Sequence, residues 1–323
     1  MRSDPDIDDN CAEDAQAPVT AELRISILVC THNRPETLAL LLDALKPQLA
    51  AAPAEVIVVD SASRPEAAER VRDLVRQVAG ARLIRVDEPG VSRARNIGLQ
   101  QVRAPWIAVL DDDEVPTPTW LASALSLIRR LPEDCAVCGG NVRPIYPKGS
   151  NPKVGPRWSA YLSTILRRGE FDQTDDLRLG MGHSIGRTRA FRETGGFDSR
   201  LGRRAGNLLS GEDVLLALQL IDAGWRIWHS DRLEVGHIIE PERLTKHWVL
   251  KRAYWEGVTT ARMLRIQDRR TLHAEAARIA IKAGPLGIAA ILAPSFRELR
   301  LRFAFVAGFL ASYAGALSGL PRV

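Results

Sequence analysis

The feature that most constrains this chain is an alternation, over its first third, of short apolar runs with amphipathic stretches. Leu23 to Cys30 is an apolar run suited to a strand buried on both faces, and Thr31-His-Asn-Arg-Pro35 breaks it. Glu36 to about Leu49 then follows with helical periodicity. Glu55 to Asp60 is a second buried strand, Pro65 to Ala79 a polar-faced helix, and Ala81 to Val86 a third strand. Ser92 to about Val102 reads as a helix, and Trp106 to Leu110 as a strand running into Asp111-Asp-Asp-Glu114. This rhythm predicts a doubly wound, mostly parallel α/β sheet flanked by helices. Ligands bind such sheets at the carboxyl ends of the strands, where Thr31, Asp60 and Asp111 to Asp113 all fall.

The second half is less regular. It offers a helix from Trp120 to Leu131, a strand from Cys135 to Tyr146, and a Pro/Gly/Lys loop to about Pro156. A mixed region carries Gly180-Met-Gly-His-Ser and Thr194-Gly-Gly-Phe-Asp198, and Ser210-Gly-Glu-Asp213 opens a helix from Val214 to Ala223. No internal repeat or low-complexity linker divides it, so one continuous domain is the simplest expectation.

Several motifs carry chemistry. In an extended strand Asp111 and Asp113 lie on one side, and hard carboxylate oxygens suit Mg²⁺ or Mn²⁺ bridging to a diphosphate. A solvated acidic turn is the bland alternative. Asp60, followed by Ser61-Ala-Ser63, can accept hydrogen bonds from a base or ribose, or simply serve as a helix N-cap or Asx turn before Pro65. Arg93 and Arg95, around Gly90 and a helix start, resemble phosphate-binding equipment. Ser210 with Asp213 has the spacing of a capping box, and a helix start also fixes a carboxylate where a general base needs it. His237 reads either as a further metal ligand or as a hydrogen-bonded structural imidazole.

Composition narrows the partners. The net charge of +5 suits an anionic ligand, but the basic residues are scattered and show no aromatic–basic stacking motif, which argues against nucleic acid. Cys135 and Cys138 stand in a strand pattern with no second pair to complete a zinc site. With Cys11 and Cys30 they read as thiols of a reduced, cytoplasmic protein. Residues 1–22 are acidic, rich in Pro and Ala and without an apolar core, which predicts a disordered leader rather than a secretory signal.

Taken in order, the segments Ile25-Ser-Ile-Leu-Val-Cys-Thr-His-Asn-Arg-Pro, Val56-Ile-Val-Val-Asp-Ser-Ala-Ser, Gly90-Val-Ser-Arg-Ala-Arg-Asn-Ile-Gly and Trp106-Ile-Ala-Val-Leu-Asp-Asp-Asp-Glu resemble glycosyltransferase family 2, with its GT-A fold. Gly195-Gly-Phe-Asp and Ser210-Gly-Glu-Asp continue the resemblance, which covers roughly Arg24 to Trp255. It implies a metal-dependent, inverting transfer from a nucleotide-diphosphate sugar, with a UDP-sugar favoured, to a glycan or lipid-linked acceptor. It further implies that Thr31, Asn33, Arg34, Asp60, Ser61, Arg95, Asn96, Asp111, Asp112, Gly182 and His183 surround the donor. Asp113, with Asp111 and His237, would hold Mn²⁺ or Mg²⁺; Asp213 would be the base; Gly196, Phe197, Asp198 and Glu212 would face the acceptor. No Gln-x-x-Arg-Trp follows Asp213, so the resemblance does not extend to processive synthases.

These expectations divide the chain into a catalytic domain at 23–260, with a nucleotide half to about 115, and a helical region at 261–323. Two apolar stretches, Ile279 to Ala293 and Phe303 to Leu320, are too short or too broken to span a bilayer. With Arg297, Arg300 and Arg302 beside them they suggest peripheral contact with the inner face of the cell membrane through 279–320; packing on the domain or a dimer contact is the alternative.

Overall fold

The computed structural model describes residues 23–50, 52–150, 152, 155–204, 206–292 and 297–318. The leader and Cys11 lie outside the described residues. The first third forms β1 (Ile25–Thr31), α1 (Pro35–Leu49), β2 (Ala54–Ser61), α2 (Pro65–Arg76), β3 (Ala81–Val86), α3 (Val91–Gln101) and β4 (Trp106–Asp111). Pro35 and Pro65 stand in the first turns of α1 and α2, where a missing N–H costs nothing and a fixed φ suits the helix.

The four strands pair in parallel in the order β3-β2-β1-β4. Thr31 stands opposite Asp60, Asp60 opposite Arg85, and Cys30 opposite Asp111, so the polar strand ends share one edge. Alternation sorts the strand residues between two buried layers. Ile27, Val29, Val56, Val58 and Ala108 pack with Leu38, Leu42, Val71 and Val75 of α1 and α2. Leu28, Ile57, Val59, Ile107 and Val109 pack on the other face with Ala94 and Leu99 of α3.

Past β4 the sheet becomes mixed. It continues through β5 (Glu114–Pro116), β6 (Cys135–Ile145), β7 (Glu170–Asp172), β8 (His183–Arg187) and β9 (Arg226–Ile238), in the order β4-β8-β6-β9-β5, with β7 also on β9. Only β6 and β9 pair in parallel there; β8 runs antiparallel to β4 and β6, and β5 and β7 run antiparallel to β9. Of these strands, only β6 is legible in the sequence pattern. Around them lie α4 (Trp120–Ile128), α6 (Thr188–Glu193) and α7 (Glu212–Asp222), while α5 is the short helix Pro156–Tyr161.

By its contacts the chain divides into two compact units. The first, residues 1–147, 163–199 and 213–238, holds the sheet. The second, residues 148–162, 200–212 and 239–323, holds α5, α8 (Lys246–Gln267), α9 (Arg269–Leu292) and α10 (Arg297–Ser318). In that unit α8 and α10 cross with Gly257 against the Phe305 carbonyl and Gly308 against the Tyr254 carbonyl, so a side chain at either glycine would force them apart. Ala261, Leu272, Ala276, Ile279, Val306 and Phe309 form its core. No helix among the described residues is long and apolar enough to cross a membrane.

Candidate active site

The acidic run after β4 does not stay extended. β4 ends at Asp111, and Asp112 and Asp113 form a turn before β5, so the same-side spacing expected for Asp111 and Asp113 does not apply. Each carboxylate goes its own way. Asp111 Oδ1 accepts from Arg95 Nη2 at 2.7 Å, and its N–H donates to the Gly182 carbonyl at 2.9 Å. Asp112 turns inward, accepting from Thr31 Oγ1 at 2.8 Å and from Arg34 Nη1 at 3.3 Å. Asp113 Oδ2 accepts from Arg34 Nη1 at 3.0 Å and lies 3.5 Å from His237 Nε2. His237 reaches this point because β5 pairs with β9, Glu114 opposite His237, and Ile238 N–H donates to the Asp113 carbonyl at 2.8 Å.

Crowding so many acids in a buried place shifts their protonation. Burial, reinforced by Asp113 and Asp111 and opposed by Arg34 and Thr31, pushes the Asp112 carboxyl up to about 7. Burial, then the charges of Asp111 and Asp113, pushes Glu114 well above the usual carboxylate range. Glu114 Oε2 accepts the Asp111 N–H at 3.2 Å; its part in this cluster was not assigned from the sequence. An acid with a raised folded-state pKa keeps its proton in the folded state while the unfolded chain ionises, so it erodes stability as pH rises from its unfolded value. Glu114→Gln removes that loss. In melts of the metal-free protein the variant is expected to gain on wild type progressively from pH 5 to pH 8; a constant offset would count against the assignment.

At the end of β2, Asp60 Oδ1 accepts from Ser63 N–H, three residues on, at 3.1 Å and Oδ2 from Arg85 Nη1 at 2.6 Å, so this carboxylate holds its own loop and pairs with a cation. Arg85 was missed in the sequence; its signal is the parallel register that sets it opposite Asp60. Asn33, at φ 56°, donates its N–H to Ser63 Oγ at 2.8 Å and accepts from Arg64 N–H at 2.8 Å, tying the loops after β1 and β2 together. Ser61 Oγ accepts from Gly90 N–H at 3.1 Å, which adds the start of α3 to the same edge.

Four other residues have structural work. Asn96 grips the Phe197 backbone from both sides, at 2.7 and 2.8 Å. A Cβ on Gly196, already at φ 73°, would lie 2.5 Å from Asn96 Oδ1. The Arg95 guanidinium lies 5.1 Å from the Phe197 ring centroid, so α3 holds both Asp111 and the Gly-Gly-Phe-Asp198 loop. The His183 ring is buried and accepts from Trp120 Nε1 at 2.9 Å. Burial lowers its pKa to about 3 and keeps it neutral. Gly182 lies directly against Asp111, and any Cβ there would fall on that carboxylate. Gly182→Ala is therefore expected to displace Asp111 from Arg95 and raise the donor KM by about 10²-fold with the fold intact. Donor titration beside a thermal melt checks this.

Asp213 stands in the first turn of α7, partly exposed, with Oδ1 accepting the Val214 N–H at 3.1 Å; Glu212 beside it is buried. Ser210 is engaged by α8: its hydroxyl accepts from Arg252 Nη2 at 3.1 Å, and its N–H donates to Thr259 Oγ1 at 3.2 Å. Gly211, at φ 92°, leaves no room for a Cβ, which would lie 2.6 Å from Met263 Sδ and 2.7 Å from Thr259 Cγ2. Within the second unit, residues 210–211 are thus held by α8.

The family model described as Glycosyl transferase family 2 matches residues 26–194, more than half of the chain. The chain belongs to glycosyl transferase family 2. As a member of that family it is a glycosyltransferase. It is 30% identical over 313 residues to the succinoglycan biosynthesis protein ExoM of Rhizobium meliloti, covering 92% of this chain and 93% of that one. It is 25% identical over 240 residues to a glucosyl-dolichyl phosphate glucuronosyltransferase of Haloferax volcanii, covering 73% and 75%. Among solved structures, a mannosyltransferase of Pyrobaculum calidifontis in complex with GDP-Man and Mn²⁺ aligns at TM-score 0.57 and 19% identity, over 94% of this chain and 89% of that one. GalNAc-T7 with UDP, GalNAc and Mn²⁺ aligns at 0.52 and 16% identity; this chain covers 51% of its length. Both likenesses support the GT-A fold. Among the described residues no group of three His, Cys, Asp or Glu is placed to hold an ion. What this family 2 chain does bring together is a pair, Asp113 and His237.

Proposed function

We propose that the chain moves a glycosyl group from a nucleotide-diphosphate sugar to an acceptor hydroxyl in one displacement that inverts the anomeric carbon. The observation that carries this is the single sheet edge on which Thr31 and Asp60 stand in register, with Cys30 beside Asp111 and the Asp113–His237 pair just beyond. Asp60, Asn33 and Ser61 offer polar edges to a base and ribose, a UDP-sugar being favoured. Arg95 and Arg34 offer charge to a diphosphate.

Two candidate donors for a divalent cation lie together, an imidazole nitrogen of His237 3.5 Å from a carboxylate oxygen of Asp113. Carboxylate with imidazole is a donor set that Mn²⁺ accepts more readily than Mg²⁺. Bound there, the cation would neutralise charge on the departing diphosphate. Asp213 takes the proton of the attacking hydroxyl, and Glu212, Gly196, Phe197 and Asp198 line the acceptor side. The names of the two curated relatives, a succinoglycan biosynthesis protein and a glucosyl-dolichyl phosphate glucuronosyltransferase, support a glycan or lipid-linked acceptor in polysaccharide or glycolipid synthesis.

The test is nucleotide release from a panel of UDP-, GDP- and dTDP-sugars, with Mn²⁺, Mg²⁺ or chelator, and membrane extract as acceptor. Metal-dependent release from one donor is expected. No release from any donor would leave a nucleotide-sugar-binding protein without turnover.

A further inference from the structure

Charge is divided unequally between the two units. The second carries 20 Lys and Arg against seven Asp and Glu, a net +13; the rest of the chain carries 24 against 32, a net −8. The whole-chain value of +5 conceals this.

Within that basic unit two helices present apolar residues on both faces. α9 buries Leu272, Ala276 and Ile279 in the core, while Arg270, Ala274, Ala277 and Ile281 are exposed at spacings of four, three and four. Ile281 is 79% exposed, the most of any large hydrophobic residue described. α10 repeats the arrangement: Val306 and Phe309 are buried, whereas Arg300, Phe303, Ala311 and Ala314 are exposed. Each outward stripe is thus apolar and begins with an arginine. A helix that is apolar on both faces needs cover on both, and the core supplies only one.

We propose that the outward faces of α9 and α10 seat this unit on the surface of an anionic lipid bilayer. The charge selects this occupant. A second copy docking through the same face would bring net +13 against net +13, and a polyanionic glycan would satisfy the arginines but not Ile281 and Phe303. An anionic bilayer offers phosphate to the arginines and acyl chain to the apolar stripe. The inference goes beyond the transferase reading and stands apart from it, because the chain can bind vesicles whether or not it turns over a donor.

Full-length protein is pelleted with vesicles of phosphatidylcholine alone, or with one third phosphatidylglycerol. Binding is expected to be at least about tenfold tighter to the anionic vesicles and to weaken in high salt. The double variant Ile281→Asp, Phe303→Asp and the double variant Arg270→Glu, Arg300→Glu should each lose about tenfold or more, with unchanged melting temperature and unchanged nucleotide release on a soluble acceptor. Equal binding to both vesicle types, no binding to either, or full binding by the double Asp variant would overturn the proposal. So would sedimentation showing a wild-type dimer that Ile281→Asp converts to monomer, which would give the stripe to a second copy.

Discussion

Asp113→Asn is expected to lower kcat/KM by about 10³-fold and to abolish the response to added Mn²⁺, while melting within a few degrees of wild type. The reason is local. Asp113 Oδ2 is the atom on which Arg34 and His237 converge, and its backbone carbonyl, which the substitution leaves intact, accepts the Ile238 N–H at the end of β9. An amide there keeps the shape and loses the charge. Mn²⁺ titration should show lost binding in Asp113→Asn and weakened binding in His237→Ala. Unaltered metal response in both would remove this pair from the donor site.

Asp213→Asn is expected to lower kcat by about 10²- to 10⁴-fold with donor affinity unchanged, the range a positioned general base supplies. Ser210 and Gly211, which precede it in sequence, are held by Arg252 and Thr259 and not by the Asp213 carboxylate, so the substitution should leave that turn in place. A fall in kcat with a steady KM is therefore the signature. A raised KM at full kcat would make Asp213 a binding residue.

The parallel half of the sheet was legible because each strand there is an apolar run buried on both faces and each break carries a turn signal. β1 to β4 and their helices lie within a few residues of where the pattern puts them, and the register brings Thr31, Asp60 and Asp111 to one edge as that topology requires. The second half was less legible for physical reasons. β5 and β7 are three residues long, and β8 carries Gly186 among polar neighbours. β9 buries His229, Ser230 and His237, polar residues that mask its alternation.

Site chemistry divides the same way. His237 was legible as a candidate, but only the pairing of β5 with β9 puts it at Asp113. Arg85 and Trp120 carried no local signal, since each acts through a partner distant in sequence, Asp60 and His183. Asn96 shows the converse. Its place in a motif suggests ligand contact, while its amide is committed to the Phe197 backbone.

The measurement that tests the central claim most directly is ¹H NMR of the first glycoside formed from the donor the protein uses, read at the anomeric proton of the new linkage. A hydroxyl deprotonated by Asp213 and attacking in line gives a product whose anomeric configuration is opposite to that of the donor sugar. That inverted signal is the expected result. A product with the donor's configuration would contradict the single displacement and the role of Asp213 as its base.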